Sequence, residues 1–155
     1  MNVAVLMAQG SPWSRQVVRR IAGNGHQVAA VEIEDHSNPE RNPIDWAHES
    51  DDYNQEGRIR SCAIGVGRRF LKGPKAVQVA RALPGIAREH EAETILTLYA
   101  GGFALAAWLS GFRPYAVYVV GSDVLFARGF KRLISRIALN AAEAVFVNGA
   151  YLARK

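Results

Sequence analysis

The first 33 residues constrain the fold most strongly, because they read as a strand, a helix and a second strand in close succession. Asn2–Ala8 is a short apolar run typical of a buried strand. Ser11 and Pro12 predict a helix start, as N-cap and first helical residue, and residues 27–33 supply a second, β-branched strand. A connection of this kind is right-handed and joins parallel strands. The sequence therefore predicts a parallel sheet.

Further strand and helix patterns continue the alternation along the chain. Four more strands are predicted, at residues 58–66, Thr94–Leu98, 115–120 and Ala144–Val147. Helices are predicted at residues 74–90, at 103–109 and from Phe130 onward. Pro84 is expected to kink or divide the first of these helices, since proline lacks the N–H and clashes with the preceding turn. We therefore predict one α/β domain over residues 1–155, a Rossmann-like three-layer α/β/α sandwich with a mainly parallel sheet.

Charge is distributed unevenly along this chain. It has 19 Lys and Arg against 14 Asp and Glu, a formal net charge of +5. Residues 32–56 hold nine acids and one base, for −8, so the remainder carries 18 bases against five acids, for +13. A basic body suits anionic partners such as phosphates or lipid headgroups. No RNA- or DNA-reading motif accompanies it, and aromatic residues are not interleaved with the bases, so we expect no nucleic-acid partner.

The acidic segment, residues 35–57, is predicted to be a long loop, because it contains two prolines and few aliphatic residues, and a loop of this length is either functional or mobile. His36 and His48 lie among its carboxylates, which leaves open a solvated loop or a metal site. No tight pattern of histidine and carboxylate lies on a predicted helix, so we expect no metal. The one cysteine, Cys62, excludes an internal disulfide and a multi-cysteine metal site. A reducing compartment fits this cysteine content.

Nucleotide-cofactor motifs and membrane-spanning runs are both missing from the sequence. The turn after the first strand lacks the three spaced glycines of the dinucleotide fingerprint, and there is no phosphate loop. We therefore expect no bound cofactor. No apolar run approaches the roughly 20 residues that cross a bilayer. These patterns predict a cytoplasmic protein, with peripheral contact to the inner face of the membrane as an open alternative.

Three turns that follow strands are expected to open at one edge of the sheet, because parallel strands end together. The candidate substrate-binding residues are Gln9, Gly10, Ser11, Tyr99, Gly101, Gly102, Gly121, Ser122 and Asp123. Glycine lets the chain turn tightly after a strand, and a helix N-terminus offers backbone N–H groups to negative charge. The third turn is equally compatible with an ordinary strand-to-helix connection in which Ser122 or Asp123 caps a helix.

Two basic segments are candidate contacts with an anionic membrane or another anion. The residues concerned are Arg68, Arg69, Phe70, Arg128, Arg132 and Arg136. In the first segment, Phe70 either inserts into a lipid surface among the cations or folds inward in a basic loop. In the second, the arginines follow one side of the helix from Phe130 and its apolar residues follow the other. That arginine side is either a solvated helix face or a stripe that faces headgroups or phosphates.

Taken in order, these pieces resemble the N-terminal domain of family 4 glycosyltransferases, GT-B enzymes with two Rossmann-like domains that face a cleft. The matching pieces are the opening strand with its glycine turn, GHQV at 25–28, YAGG at 99–102, RP at 113–114, GSDV at 121–124 and AEAVFVN at 142–148. One position departs from the pattern. Many members have a histidine where this chain has Val120, and valine cannot donate a hydrogen bond to a sugar hydroxyl.

The resemblance implies transfer of a sugar from a nucleotide-sugar donor, without a bound metal, to a glycan or lipid-linked acceptor of the cell envelope. In that family the N-terminal domain mainly holds the acceptor, and most donor contacts come from the C-terminal domain. By position, Gly10 and Ser11 would approach the donor diphosphate or the acceptor. We expect the 155 residues to be the acceptor-side part of a hexosyltransferase-type enzyme and to be inactive alone. No catalytic residue is assigned.

Two other functions stay open on sequence grounds. The chain could be a stand-alone α/β binding or regulatory module of flavodoxin-like topology, which would need no second domain. It could also be half of a sugar-nucleotide epimerase, a class that shares the two-domain architecture. The sequence stops a few residues into a predicted helix that begins near Asn148, so we expect a fragment of a longer protein.

Overall fold

A parallel β-sheet lies at the centre of the computed structural model, which describes residues 1–35, 57–66, 74–121 and 128–148. Its strands are β1 (Asn2–Ala8), β2 (Gln27–Asp35), β3 (Ile59–Val66), β4 (Thr94–Leu98), β5 (Tyr115–Val119) and β6 (Ala144–Val147). They lie in the order β3-β2-β1-β4-β5-β6, and every neighbouring pair is parallel. The predicted Rossmann-like α/β fold is confirmed, with a sheet that is parallel across all the described strands.

The strand order distinguishes two kinds of doubly wound sheet. A flavodoxin-like sheet has the order 2-1-3-4-5, in which the third strand lies beside the first. Here β1 lies between β2 and β4, with Val3 opposite Val28 on one side and Thr94 on the other. The flavodoxin-like topology considered from the sequence is therefore wrong. The chain instead crosses from β3 at one edge to β4, and the sheet is extended in both directions from β1.

Helices cover both faces of this sheet in the described part of the chain. They are α1 (Pro12–Gly23), α2 (Lys75–Glu89), α3 (Gly102–Leu109) and α4 (Phe130–Asn140). α1 packs on one face through Val18 and Ala22, whereas the other three contribute to the core on the opposite face, through residues such as Leu83, Ala107 and Ala138. Alternate side chains of β1 enter the two cores, so this strand is buried on both sides. The three-layer arrangement is confirmed.

α2 is continuous from Lys75 to Glu89 and includes Pro84, so the expected division of this helix at the proline is wrong. A proline inside a helix costs about 3 kcal/mol, because it removes one hydrogen bond and crowds the preceding turn. Leu83 and Ala87 lie on either side of it and are fully buried against the sheet. Arg88 also donates from Nε to the Pro84 carbonyl oxygen at 3.1 Å. Burial of the flanking turn holds the segment helical despite the proline.

α4 packs against the core through small side chains, and most of its large apolar side chains lie on another side of the helix. Its buried residues are Ser135 and Ala138. Three of its large apolar side chains are exposed: Phe130, Leu133 and Ile137. The arginines that the sequence placed opposite the apolar residues are exposed as well. The outer side of this helix is therefore both cationic and apolar.

Close packing of α4 against its neighbours explains why the side chains on its buried side are small. The buried Tyr115 hydroxyl donates a hydrogen bond to the Ala138 carbonyl oxygen, in the last turn of the helix. The last carbonyls of a helix have no partner within it, so Tyr115 caps α4 from the sheet. In the middle of the helix, Ser135 Oγ would lie 4.0 Å from a Cβ added at Gly101. A larger side chain on this side of α4 would push the helix away from both contacts.

In residues 1–35, 57–66, 74–121 and 128–148, no helix combines sufficient length with sufficient apolar character to span a membrane.

Candidate functional site

The turns after β1 and β4 lie beside each other, at the point where the order of successive strands reverses direction across the sheet. β1 and β4 are neighbours, yet the chain leaves β1 toward β2 and leaves β4 toward β5. A crevice opens at such a switch point, outside the carboxyl ends of the two strands, and ligands of open α/β sheets bind there. The turns after β1 and β4 are the first two of the three predicted from the sequence.

The turn after β1 is shaped by three of the predicted residues. Gln9 is a buried polar residue with only 8% of its surface exposed. Gly10 has φ 69°, a left-handed conformation that glycine adopts without steric cost. Ser11 is the N-cap of α1, as predicted, and its Oγ accepts a hydrogen bond from the Ser14 N–H at 3.3 Å. The turn therefore aims the N-terminus of α1 at the switch point.

The turn after β4 contains a strained residue. Tyr99 has φ 109°, where residues with a Cβ are rarely found and where the cost is about 1–3 kcal/mol. Its N–H donates to the Tyr118 carbonyl oxygen at 2.9 Å, which extends the β4–β5 pairing past the strand end. Gly101, with φ 73°, is the N-cap of α3, and Gly102 is the first residue of that helix. Strain of this kind persists where surrounding contacts fix the backbone, and it concentrates at functional sites.

Side chains join the turns directly. Ser11 Oγ and the Tyr99 hydroxyl are 3.2 Å apart and share a hydrogen bond. Trp13 lies against Tyr99 and Tyr118, with ring centroids 5.7 and 5.1 Å apart, and Tyr99 lies 5.7 Å from Phe103. These four rings, Trp13, Tyr99, Phe103 and Tyr118, form an aromatic cluster that links α1, β4, α3 and β5. Pairs at this spacing stabilise each other by about 0.5–1.5 kcal/mol beyond simple burial.

A cavity of about 350 Å³ lies beside the aromatic cluster. It is lined by Ala8, Gln9, Ile33, Val66, Lys75, Ala76, Val79, Tyr99, Ala100, Gly102 and Phe103. Most of these side chains are apolar, and the polar groups come from Gln9, Lys75 and Tyr99. Lys75 is the first residue of α2, a third helix that begins at this edge of the sheet. Small-molecule sites have this size and character, an apolar wall with a few placed polar groups.

The third predicted turn is only partly described. Gly121 is buried and has φ 111°, so a tight turn does follow β5. β5 lies beside β4, which places this turn at the same edge of the sheet as the other two. Ser122 and Asp123 lie outside the described residues, and so do Arg68, Arg69, Phe70, His36 and His48. Arg128, Arg132 and Arg136 are exposed at α4 and do not line the cavity.

Few side chains that could act in catalysis or bind a metal lie at this edge of the sheet. Within the described ranges, no three His, Cys, Asp or Glu side chains are grouped as metal ligands. Among the described residues that line the cavity there is no carboxylate or histidine. What the arrangement offers is binding, through three helix N-termini, one lysine, the buried amide of Gln9, the half-buried phenol of Tyr99 and an apolar wall.

Cys62 and His90 form a separate pair that does not line this cavity. Cys62 Sγ lies 2.9 Å from His90 Nε2, where β3 faces the C-terminal end of α2. Burial raises the pKa of the Cys62 thiol; the Glu89 carboxylate raises it further and Arg60 opposes the change. A thiol whose pKa is raised is held neutral near pH 7, and the thiolate is the reactive form. The geometry does not make Cys62 an activated nucleophile.

Sequence reasoning missed several residues of this site. Trp13, Phe103, Tyr118 and Lys75 were assigned only to helices or strands, although each lies at the cavity or in the aromatic cluster. Trp13 carried a usable signal, because it stands two residues after the N-cap and so lies in the first turn of α1. Phe103, Tyr118 and Lys75 carried no such signal in the sequence, since their positions beside the turns depend on which strands are neighbours in the sheet.

Ser11→Ala should lower the free energy of unfolding by about 1 kcal/mol, because it removes the N-cap oxygen of α1 and the hydrogen bond with Tyr99. Ser11→Thr keeps an oxygen at the same position and should stay within about 0.5 kcal/mol of the unchanged protein. Urea denaturation followed by circular dichroism measures both. Equal destabilisation by alanine and threonine would contradict the capping role.

Comparisons with known proteins place the fold. No protein-family model matches the chain, and no curated protein has significant sequence similarity to it. Sucrose-phosphate synthase from Thermosynechococcus elongatus is similar in structure, with TM-score 0.67 and 15% identity, over 99% of this chain and 45% of that one. UDP-GlcNAc 2-epimerase from Methanocaldococcus jannaschii has TM-score 0.60 and 9% sequence identity, over 96% of this chain and 40% of that one. The UDP-GlcNAc 2-epimerase from Neisseria meningitidis, solved bound to UDP-GlcNAc, has TM-score 0.50 and 11% sequence identity, over 90% of this chain and 39% of that one.

These similarities establish an architecture. The chain spans less than half of the length of each of the three proteins. The neighbours are GT-B fold proteins, so this chain has the fold of one GT-B domain, as the resemblance seen in the sequence implied. Identities of 9–15% show fold alone, and membership in glycosyltransferase family 4 stays a prediction.

Proposed function

We propose that this chain is the acceptor-side domain of a GT-B glycosyltransferase that transfers a hexose from a nucleotide-sugar donor to a cell-envelope glycan or a lipid-linked acceptor. The observation that carries the proposal is the Ser11–Tyr99 hydrogen bond, 3.2 Å long, which joins the two turns of the switch point beside a 350 Å³ cavity. The fold neighbours support it, because one is named as a synthase of a sugar phosphate and two as epimerases of a nucleotide sugar.

The electrostatics of the switch point suit an anionic ligand. α1 and α3 both begin at this edge, and neither has an acidic residue in its first turn. The N-terminus of a helix carries about half a positive charge and favours phosphate groups by roughly 0.3–1 kcal/mol. Lys75 adds a side-chain cation at the cavity wall. In the proposed enzyme Gly10 and Ser11 approach the donor diphosphate or the acceptor, and the apolar wall receives the less polar part of the acceptor.

The cavity wall of this chain holds no carboxylate or histidine among its described residues, so the proposed division of labour assigns most donor contacts to a second domain. Binding by these 155 residues alone should then be weak. In this proposal no metal or other cofactor takes part, and the nucleotide sugar is a substrate.

Titration with nucleotide sugars distinguishes the proposed acceptor-side domain from a stand-alone binding module. UDP-, ADP- and GDP-sugars added to the 155-residue chain should change its tryptophan fluorescence, to which Trp13 contributes, little or not at all, whereas the proposed two-domain protein should bind one of them. Efficient sugar transfer by the 155 residues alone would contradict the division of labour. A stop codon directly after Lys155 would instead favour a stand-alone binding module, and a following αβ region with two spaced glutamates would favour the transferase.

A second candidate is a sugar-nucleotide 2-epimerase, because two of the three structural neighbours carry that name. An epimerase converts its nucleotide sugar without an acceptor. Incubating the natural protein with UDP-GlcNAc alone, followed by chromatography of the nucleotide sugar, therefore distinguishes the two. Conversion to a second UDP-sugar in the absence of acceptor supports the epimerase, and transfer only when acceptor is present supports the glycosyltransferase.

A further inference from the structure

α4 exposes large apolar side chains at helical spacing. Phe130 is 75% exposed, Leu133 54% and Ile137 41%, although the helix buries Ser135 and Ala138 almost completely. Residues three and four apart lie next to each other on one side of a helix, so the three side chains form a continuous stripe. We call this stripe, together with the cations beside it, the outer face of α4.

Cations accompany the apolar stripe along the whole helix. The exposed basic residues are Arg128, Lys131, Arg132 and Arg136. Arg132 and Arg136 are one turn apart, and Arg136 directly precedes Ile137 in the sequence. Phe130–Asn140 contains no acidic residue, so nothing on this helix neutralises the arginines. The outer face therefore combines an apolar stripe with positive charge that no acidic residue of the helix itself offsets.

We infer that the outer face of α4 docks on an anionic lipid bilayer. A helix of this composition lies in the plane of a membrane interface, with its apolar side chains at the acyl boundary and its cations among the headgroups. Charge complementarity favours an anionic bilayer as the occupant, because a leaflet of anionic lipids attracts each lysine or arginine near its surface by about 1 kcal/mol. A nucleic acid would neutralise the arginines and leave the stripe of Phe130, Leu133 and Ile137 exposed to water. The inference does not depend on the proposed sugar transfer.

Sedimentation with vesicles tests the cationic half of this surface. The full chain should sediment with vesicles of phosphatidylcholine and phosphatidylglycerol, and binding should fall steeply between 50 and 500 mM salt, as screening predicts. Arg132→Ser/Arg136→Ser should weaken binding roughly 25-fold, about fivefold for each arginine removed. Arg20→Ser/Arg81→Ser is the matched control, because both of these arginines are exposed on other helices. It should change binding less than threefold.

Two further variants test the apolar half. Phe130→Ser/Leu133→Ser leaves every cation in place and changes only exposed side chains, so the fold should persist while binding to anionic vesicles is lost at least tenfold. Phe130→Trp should gain fluorescence that brominated acyl chains quench, which reports the depth of residue 130. Circular dichroism melting of each variant confirms that it is folded.

Several outcomes would overturn the inference. These are equal sedimentation with neutral and anionic vesicles, equal loss in the Arg20/Arg81 control, or unquenched fluorescence at residue 130. A concentration-dependent dimer that dissociates on Leu133→Ser would identify a second copy of the chain as the occupant and would also reject the bilayer. Failure of sugar transfer in the natural protein would leave these vesicle results unaffected, so the two proposals fail separately.

Discussion

Tyr115→Ala should lower the free energy of unfolding by about 3–5 kcal/mol, the range for removing a large buried aromatic side chain. Tyr115 has no exposed surface and is the largest fully buried side chain among the described residues. Its ring packs in the core on the face of the sheet that α2, α3 and α4 cover. The Arg113 guanidinium lies 4.7 Å from the centroid of the Tyr115 ring, and the Tyr115 hydroxyl caps the last turn of α4. Chemical denaturation followed by circular dichroism measures the change. Phe146→Ala is the matched control, because Phe146 is 52% exposed and its loss should stay within about 0.5 kcal/mol.

Tyr115→Phe separates the hydroxyl from the ring. It should lower the free energy of unfolding by only about 1–2 kcal/mol, the cost of leaving the buried Ala138 carbonyl without its donor. Burial raises the pKa of Tyr115 above its ordinary value of 10.0, so the folded protein favours the neutral phenol. This contribution is complete below pH 10 and is lost as the pH rises through the higher folded pKa. The advantage of tyrosine over phenylalanine should therefore shrink above pH 10, and an advantage that grows there would contradict the assignment.

If the proposed sugar transfer is correct and the cavity binds a reactant, Gly102→Phe should reduce kcat/KM for nucleotide-sugar turnover by at least about 100-fold in the proposed two-domain enzyme. Gly102 lines the cavity, and a Cβ built there meets nothing within 4 Å. A side chain can therefore begin at this position without a clash at Cβ, and a phenylalanine ring would compete with a ligand for the space of the cavity. Release of nucleoside diphosphate from a panel of nucleotide sugars measures the effect.

Gly85→Phe provides the control for this experiment. Gly85 is also exposed and helical, and a Cβ there also meets nothing within 4 Å, but it lies in α2 and does not line the cavity. This variant should keep turnover within about twofold, and both variants should melt within a few degrees of the unchanged protein, since phenylalanine suits a helix better than glycine does. Normal turnover in Gly102→Phe would exclude the cavity as the reactant site.

The two predictions depend on different kinds of sequence information. The strand that begins at Tyr115 was predicted from its Val- and Tyr-rich pattern, and its burial in a parallel sheet followed from the same pattern. The hydrogen bond from Tyr115 to Ala138 was not predictable, because the two residues are 23 positions apart and meet only when α4 packs on the sheet. Gly102 was predicted to lie in a ligand-binding turn. That its Cβ direction is open, beside a cavity bordered by Lys75 and Val66, required the structure.

Two local rules describe the folded helices incompletely, for the same reason. The proline rule predicted that Pro84 kinks or divides its helix, yet α2 is not divided. The apolar spacing of α4 predicted an amphipathic helix, yet Phe130 and Leu133 on its apolar side are exposed. Both rules describe a helix in isolation. In the folded protein, burial of Leu83 and Ala87 outweighs the local cost of proline, and close approach to Tyr115 and Gly101 selects the small side of α4. Tertiary packing changes the balance by several kcal/mol, which exceeds most local preferences.

The sequence by itself determined the elements and their class. Short apolar runs, capping residues such as Ser11 and glycine turns act over a few residues, so they specify strands, helices and a parallel sheet without reference to the rest of the chain. Only the tertiary structure decided that β1 lies beside β4, that Ser11 and Tyr99 share a hydrogen bond, and which side of α4 meets solvent. These features join residues 88 or more positions apart, or depend on which faces are buried. The free energy that selects them comes from packing across the sheet and not from any local pattern.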